Sequence, residues 1–291
     1  MSMSDKVQIL LSLYKPNLEF LTQQLQSIDQ QDYSPIELLV YDDGPIEDKV
    51  DREIILSSIS NITVRFLPSE NKNLGYIKAF EKLIKNSDGK YLCFCDQDDI
   101  WESNKISESL KALKKTKALL AVSDRKIINS KDQVVVDSVH HTSKKYYENW
   151  KNGDDICSQN LFVCFAPGMS MVVDGSFARS VLPISIYTGH DKWILACASA
   201  ENKVVYIDQT LVRYRRHGNN VSGVLTDINS KQDYYLNRIK QREGLLNDFF
   251  SIYPNYKDRE KIMEFMYAQK NHNILKIWKN RTLNLQFVDM T

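Results

Sequence analysis

Short apolar runs alternate with segments of helical period along the first half of the chain, and that alternation restricts it to a largely parallel sheet covered by helices. Val7-Gln8-Ile9-Leu10-Leu11-Ser12-Leu13 reads as a first strand, after which Leu18, Leu21, Leu25 and Ile28 mark one face of a helix that Asn17 is placed to cap. Ile36 to Tyr41 is a second strand and stops at the turn Asp42-Asp43-Gly44-Pro45. Ile62 to Leu67 is a third, leading through Asn71-Lys72-Asn73-Leu74-Gly75 into a helix around Ile77 to Ile84. A fourth, Tyr91 to Cys95, ends on Asp96-Gln97-Asp98-Asp99. In open parallel sheets the crossing loops form a crevice at the carboxyl ends of the strands, so this acidic cluster sits where a ligand site belongs.

Beyond a helix at about Ser103 to Lys115, strands are expected at Ala118 to Val122, Val134 to Val136 and Gly168 to Val173, with a polar loop from His140 to Asn160. A helix opens near Thr188 and continues through Ile194, Leu195 and Ala198; Val204 to Ile207 and Leu211 to Arg215 read as two short strands. From about Asp227 the pattern is helical. The expected organisation is one α/β domain over residues 1–224, its two halves dividing at about residue 125, and a helical C-terminal extension over 225–291.

A chain with 43% hydrophobic residues can bury such a core. Its 38 basic and 37 acidic residues nearly cancel, which removes any global electrostatic reason to expect a nucleic acid partner. Any anion site is therefore local. Cys93, Cys95, Cys157, Cys164 and Cys197 form no CxxC pair and have no zinc-ligand spacing, as in a reduced protein. The polar stretch from Met1 to Lys6 runs straight into a strand, leaving no room for a signal peptide, and no apolar run approaches membrane-spanning length. A cytoplasmic location follows as the expectation.

Three carboxylates at one strand end disfavour one another's ionisation unless a cation or strong donors compensate them. A divalent ion with hard oxygen ligands, Mg2+ or Mn2+, held by one or two carboxylates and substrate phosphates, suits the D-x-D spacing of Asp96 and Asp98. A solvated acidic turn capping the next helix is the simpler alternative. The apolar strand before the cluster and Ile100-Trp101 behind it weigh against that alternative.

Phe94-Cys95-Asp96-Gln97-Asp98-Asp99-Ile100-Trp101 resembles the F-x-D-Q-D-D-x-W segment of family 2 glycosyltransferases of the GT-A fold, especially bacterial rhamnosyltransferase-like members. Other segments follow in the family's order. Ser12-Leu13-Tyr14 resembles its first-strand nucleotide contact, Asp42-Asp43-Gly44 its V-D-D-G-S turn and Asn73-Leu74-Gly75 its N-x-G element. Gly168-Met169 opens a strand similar to the acceptor-side strand, and His190-Asp191-Lys192-Trp193 resembles the H-D-x-W catalytic segment. Tyr214-Arg215-Arg216-His217-Gly218-Asn219-Asn220-Val221-Ser222-Gly223 resembles the Y-R-x-H-x-x-N-x-x-G lid. The resemblance spans roughly residues 6 to 223. Pro45 stands where the family has serine.

The resemblance implies an inverting, metal-dependent enzyme of Rossmann-like, mainly parallel α/β architecture, acting on a dTDP- or UDP-sugar and a glycan or lipid-linked acceptor, with rhamnose as the favoured sugar. Ser12, Tyr14, Asp42, Asn73, Gly75, Asp96, Arg215 and His217 fall on donor contacts, Asp42 against the pyrimidine imide and Asp43 as a turn former. Asp98, Asp96 and His217 fall on the metal shell. Asp191 falls on the general base, while Trp101, Gly168, Met169, His190 and Trp193 fall on the acceptor side. Local sequence alone also allows Asp191 a structural role, since Thr188-Gly189-His190-Asp191 has capping-box spacing and an acid in the first helical turn suits the helix dipole. Lys192 is expected to be exposed, and His140-His141 to be loop.

Two rivals belong to other classes. A sugar-1-phosphate nucleotidyltransferase would want a glycine-rich phosphate loop after the first strand, and Leu11-Ser12-Leu13-Tyr14-Lys15-Pro16 contains no glycine. A non-catalytic sugar-nucleotide-binding subunit would bind donor and be indifferent to Asp191→Asn. In the extension, Lys270, Lys276, Lys279 and Arg281 interleave with Ile274, Leu275, Ile277 and Trp278. Packing on the domain, a dimer contact and peripheral contact with the inner membrane face are the three readings of that segment.

Overall fold

Strand β1 (Val7–Leu13) is almost wholly buried, and its alternating side chains divide the core in two. Leu10 joins Phe80, Phe94, Trp193 and Phe249, whereas Ile9, Leu11 and Leu13 join Leu21, Leu25, Ile106 and Leu110. That division is the signature of a sheet covered on both faces. The structure is a computed structural model and describes residues 4–217 and 230–283. The part of the expected lid from Gly218 to Gly223, and the chain from 284 to 291, lie outside the described residues.

Among the described residues nine strands form one sheet, in the order β3 (Thr63–Phe66), β2 (Ile36–Asp42), β1, β4 (Tyr91–Cys95), β8 (Met171–Asp174), β6 (Leu120–Ile128), β9 (Val204–Arg215) and β5 (Ile100–Trp101), with β7 (Val134–Val136) paired to β6. The strands β2 (Ile36–Asp42), β3 (Thr63–Phe66) and β4 (Tyr91–Cys95) run parallel to β1 and to one another. Helices α1 (Leu18–Asp29), α2 (Arg52–Ser57) and α3 (Tyr76–Lys85) connect them. Asn17 caps α1 as expected, its Oδ1 accepting from the amides of Glu19 and Phe20 at 3.0 and 3.2 Å. Beyond β4 come β5 (Ile100–Trp101), α4 (Lys105–Thr116), β6 (Leu120–Ile128), β7 (Val134–Val136) and the short helices α5 (Val139–Thr142) and α6 (Cys157–Asn160). The His140-His141 pair thus sits on α5 rather than in a loop, with the His140 ring stacked on Tyr206.

Strand β8 (Met171–Asp174) inserts antiparallel between β4 and β6, and Gly168–Ser170 form a helical turn ahead of it rather than its beginning. After α7 (Gly175–Ser180) and α8 (His190–Ala200), β9 runs unbroken from Val204 to Arg215, where two strands were expected. The polar pair Asp208-Gln209 lies between the two expected strands. Register shifts against β6 at Ser123, Asp124 and Arg125 absorb the irregularity while pairing continues.

The extension is helical as expected. Helix α9 (Lys231–Tyr234) passes through a π-helical turn, Tyr235–Lys240, into α10 (Gln241–Ile252), followed by α11 (Arg259–Lys270) and α12 (Ile274–Lys279). Leu245, Leu246, Phe249, Ile262, Phe265 and Met266 enter the same apolar cluster as Trp193, so these helices complete the core over β8 and α8. All five cysteines are free thiols, and four of them are buried. Among the described residues no helix is long and apolar enough to cross a membrane.

Candidate active site

The register of β1 aligns Leu11 with Cys95 of β4 and Leu13 with Asp42 of β2, so the loops beginning at Tyr14, Asp43 and Asp96 leave the sheet at one edge. Gln97 ties two of them together: its side chain accepts from the Tyr14 amide at 2.9 Å and donates to the Tyr14 carbonyl at 3.1 Å. That clamp was not foreseen from the sequence, where Gln97 is one letter of an acidic motif. Tyr14, held at its backbone, leaves its ring 44% exposed over the crevice.

Within the cluster the carboxylates separate. Burial, reinforced by the charges of Asp98 and Asp191, pushes the Asp96 carboxyl up to about 7. Asp99 is fully buried and burial also drives its carboxyl well above the usual range, although Oδ1 accepts from the Arg215 amide at 2.9 Å. Asp98 lies nearer the surface, with its Oδ2 2.7 Å from His217 Nε2. His217 also packs against Phe20, ring centroids 5.5 Å apart. Among the described residues no group of three His, Cys, Asp or Glu side chains is placed to hold an ion unaided.

Asp191 is carried to this edge by the packing of α8. The His190 ring stacks on Phe80 at 3.8 Å and contacts Phe94 at 4.8 Å, two residues before Asp96. Gly168 makes room for it: a Cβ there would lie 2.5 Å from His190 Nε2. His190 is a buried wedge, neither ring nitrogen finds a partner among the described residues, and burial lowers its pKa to about 4. Its neutral ring therefore acts by packing and does not meet the acceptor as expected. Gly189, not Thr188, is the N-cap of α8 and gives no side-chain cap. Asp191 instead turns its Oδ1 back to its neighbour, accepting from the Lys192 amide at 2.7 Å. Lys192 is not the exposed side chain expected: it is half-buried, and that burial pulls its ammonium down to about 8.

A Cβ added to Gly189 would stand 2.5 Å from Asp191 Oδ1. Gly189 has ordinary extended angles, φ −68° and ψ 158°, so Gly189→Ala strains only that contact. The expected result is turnover lowered about a hundredfold by a misplaced carboxylate, with a melting temperature close to the parent's. Equal turnover in the two proteins would show that the Asp191 rotamer does not matter.

On the nucleotide side Asp42 takes a turn-forming role. Its Oδ1 accepts from the Gly44 amide at 3.0 Å and its Oδ2 from the Val50 amide at 2.9 Å. Asp43 lies beneath it, 2% exposed, accepting from the amides of Leu74 and Gly75 at 2.8 and 2.9 Å. Burial raises the Asp43 carboxyl above its ordinary value. Gly75 has φ +80°, which favours glycine, and its amide is committed to Asp43 rather than facing a donor. Asn73 is exposed at the tip of the same turn, and Ser12 is half-buried at the end of β1.

Four expected contacts are corrected by burial. Arg215 is fully buried: its Nε donates to the Asp98 carbonyl at 2.8 Å, Nη2 to Gln23 Oε1 at 2.6 Å, Nη1 to Asp132, and its guanidinium lies 4.3 Å over Phe20. It braces the cluster from below and cannot meet a donor phosphate. Trp101, 3% exposed, lies under the Lys105 ammonium at 3.7 Å in the core around α1 and α4. Trp193, 1% exposed, donates to the Val181 carbonyl at 2.8 Å, and Met169 is equally enclosed. None of these three side chains lines an acceptor surface. An indole or a guanidinium reads as a surface contact in a motif, but only tertiary packing decides which way it points.

The family model described as glycosyl transferase family 2 matches residues 12–173, more than half of the chain. The chain belongs to glycosyl transferase family 2. An uncharacterized glycosyltransferase of Rickettsia felis is 25% identical over 246 residues, covering 84% of this chain but only 37% of that protein. The chain therefore spans little more than a third of that relative's length. The dTDP-rhamnosyl transferase RfbG of Shigella flexneri is 37% identical over 99 residues, covering 32% of this chain and 34% of RfbG. Solved structures share the fold at low identity. S. aureus TarS 1-349 in complex with UDP has a TM-score of 0.59 at 14% identity, covering 91% of this chain and 71% of that one. The mannosyltransferase PcManGT from Pyrobaculum calidifontis, in complex with GDP-Man and Mn2+, has a TM-score of 0.56 at 13% identity, covering 97% and 74%.

Proposed function

We propose that this member of family 2 is an inverting glycosyltransferase, moving a sugar from a nucleoside diphosphate donor to a hydroxyl of a glycan or lipid-linked acceptor in surface polysaccharide or glycoconjugate assembly. The observation that carries the reading is Asp191 in the first turn of α8, brought toward the end of β4 by the His190 ring, which contacts Phe94, two residues before Asp96, at 4.8 Å; its charge helps to raise the Asp96 carboxyl. Asp191 takes the proton of the acceptor hydroxyl as that oxygen attacks the anomeric carbon on the side opposite the leaving diphosphate. In-line displacement of this kind inverts the anomeric centre. Ser12, Tyr14 and Asp42 line the base and ribose end, with Asn73 at the turn beside them.

A Mn2+ or Mg2+ ion fits the residues present. Asp98 and His217 are already 2.7 Å apart, and the charge of Asp98 helps to keep on Asp96 a proton that a cation would displace. Two protein ligands leave the remaining positions to phosphate oxygens and water, the usual mode for such ions. When bound, the ion supplies charge neutralisation for the departing diphosphate.

Rhamnose from dTDP-rhamnose is the favoured donor, on the motif resemblance and the partial likeness to RfbG. A UDP-hexose or UDP-N-acetylhexosamine is the second reading, favoured by the fold shared with a protein solved with UDP. A panel of nucleotide sugars with Mn2+, read as release of free nucleoside diphosphate, separates them. Asp98→Ala is expected to lower that release by about a hundredfold or more and to blunt its response to metal. Because Asp96 keeps its proton until pH about 7, apparent metal affinity is expected to rise as pH climbs through that value. Turnover indifferent to both Asp98 and metal would sink the mechanism.

A further inference from the structure

The outer faces of α11 and α12 reverse the pattern of a helix on a globular surface. In α12 only Ile277 turns inward, followed by Asn280 and Leu283, while Ile274, Leu275 and Trp278 are 76, 82 and 65% exposed. In α11 Ile262, Phe265 and Met266 fill the core, while Met263 and Tyr267, one turn apart, are 43 and 65% exposed. Five large apolar side chains are thus exposed on two helices that pack against each other, and such concentrations, unlike single exposed apolar residues, mark contact surfaces.

The charges around it say what the patch contacts. From Phe265 to Val288 the sequence contains no acid, and Lys270, Lys276, Lys279 and Arg281 are its cations. Glu264 is shared by Lys276 and Lys279 at 3.4 and 3.9 Å, and Glu243 pairs with Lys270 at 2.9 Å; with Arg259 and Glu260 exposed in the first turn of α11, three acids face five cations. Arg281 folds its guanidinium 4.3 Å over the Trp278 ring. Protein interfaces are depleted in lysine, and a two-fold contact between copies would bring this cationic rim against itself. An apolar face ringed by lysine and arginine, with Trp and Tyr at its margin, matches the boundary between acyl chains and anionic headgroups.

We infer that the outer faces of α11 and α12 form a docking surface for an anionic lipid bilayer, with Ile274, Leu275 and Trp278 entering the headgroup region and the four cations meeting lipid phosphates. This surface is independent of the sugar chemistry, and its test needs no turnover. The intact chain is mixed with phosphatidylcholine vesicles with or without phosphatidylglycerol, at low and high salt, and followed by co-sedimentation and tryptophan emission. Trp101, Trp150 and Trp193 are buried at 3, 3 and 1% exposure, so Trp278 dominates any change on binding. Anionic vesicles are expected to pull down the protein and shift emission to the blue, neutral vesicles and high salt at least tenfold less so.

Trp278→Phe is expected to remove the shift and keep sedimentation. Leu275→Ser with Trp278→Ser is expected to lose at least tenfold in binding with an unchanged circular dichroism spectrum, since both side chains are exposed in the fold. Equal binding to neutral and anionic vesicles would overturn the inference. So would a failure of the parent to bind. A Trp278 contribution, taken as the difference between the parent and Trp278→Phe, that is already blue without vesicles, or a dimer that the double variant dissolves, would assign the patch to the chain itself or to a second copy.

Discussion

Asp191→Asn lowers the rate of sugar transfer by roughly a thousandfold while leaving donor affinity near the parent's. The substitution preserves volume, and the amide oxygen still accepts from the Lys192 amide, so the start of α8 is undisturbed. What disappears is the group proposed to take the acceptor's proton. A second signature accompanies the loss and does not depend on an acceptor. The Asp191 charge is one of the causes that hold the Asp96 proton to about 7, so its removal lets Asp96 ionise at lower pH. The pH at which Mn2+ affinity rises should then move down in the variant, by isothermal titration, with no gain in affinity at high pH, because the lost carboxylate charge also attracted the cation. A merely structural Asp191 would instead lower turnover through lost stability, read as a fallen melting temperature. A non-catalytic subunit would leave every output but metal affinity unchanged.

Where local pattern and tertiary environment agree, the sequence could be read closely. Strand β1 and strand β4 have the expected boundaries because both are short, largely apolar runs between turn residues. Helix α1 begins where Asn17 can cap it. The acidic cluster at the end of β4 followed from the same reasoning, since a strand's carboxyl end is fixed once its apolar run is fixed. Reading failed where a side chain's direction depends on distant partners. Arg215 is satisfied by Gln23 and Asp132, and no local pattern links those positions. Trp101 and Trp193 look like site aromatics in a motif and prove to be core. Asp42, proposed as a base contact, also closes the turn that follows it with both carboxylate oxygens. The apolar residues of α12 pose the opposite problem: their composition suggested packing, and the fold leaves them outside.

Arg215→Met destabilises the protein by about 3 kcal/mol, whereas Arg213→Ala costs less than about 1 kcal/mol, although the two arginines are near neighbours on one strand. The difference lies in their surroundings. Arg213 pairs with Glu102 at 2.8 Å, but its side chain is 43% exposed, so solvent screens the pair and replaces it readily. Arg215 has no exposed side-chain surface and donates to the Asp98 carbonyl, to Asp132 and to Gln23. Methionine fills much of the space but leaves the Asp98 carbonyl and Gln23 without their charged donor, and buried acceptors left unmade are costly. The Asp132 partner is 44% exposed and recovers water, which keeps the expected loss below the sum of the separate bonds. Urea denaturation at a pH between the two ionisation extremes measures both costs, and an unchanged slope with a lowered midpoint identifies a stability effect. Because the same guanidinium holds the backbone at Asp98, Arg215→Met also loosens the Asp98–His217 pair. Metal affinity should fall with it, even at temperatures where the variant remains folded. Equal costs for the two arginines would mean that Arg215 is not the brace of the acidic cluster, and the cluster's geometry would have to be held by β4 and β9 alone.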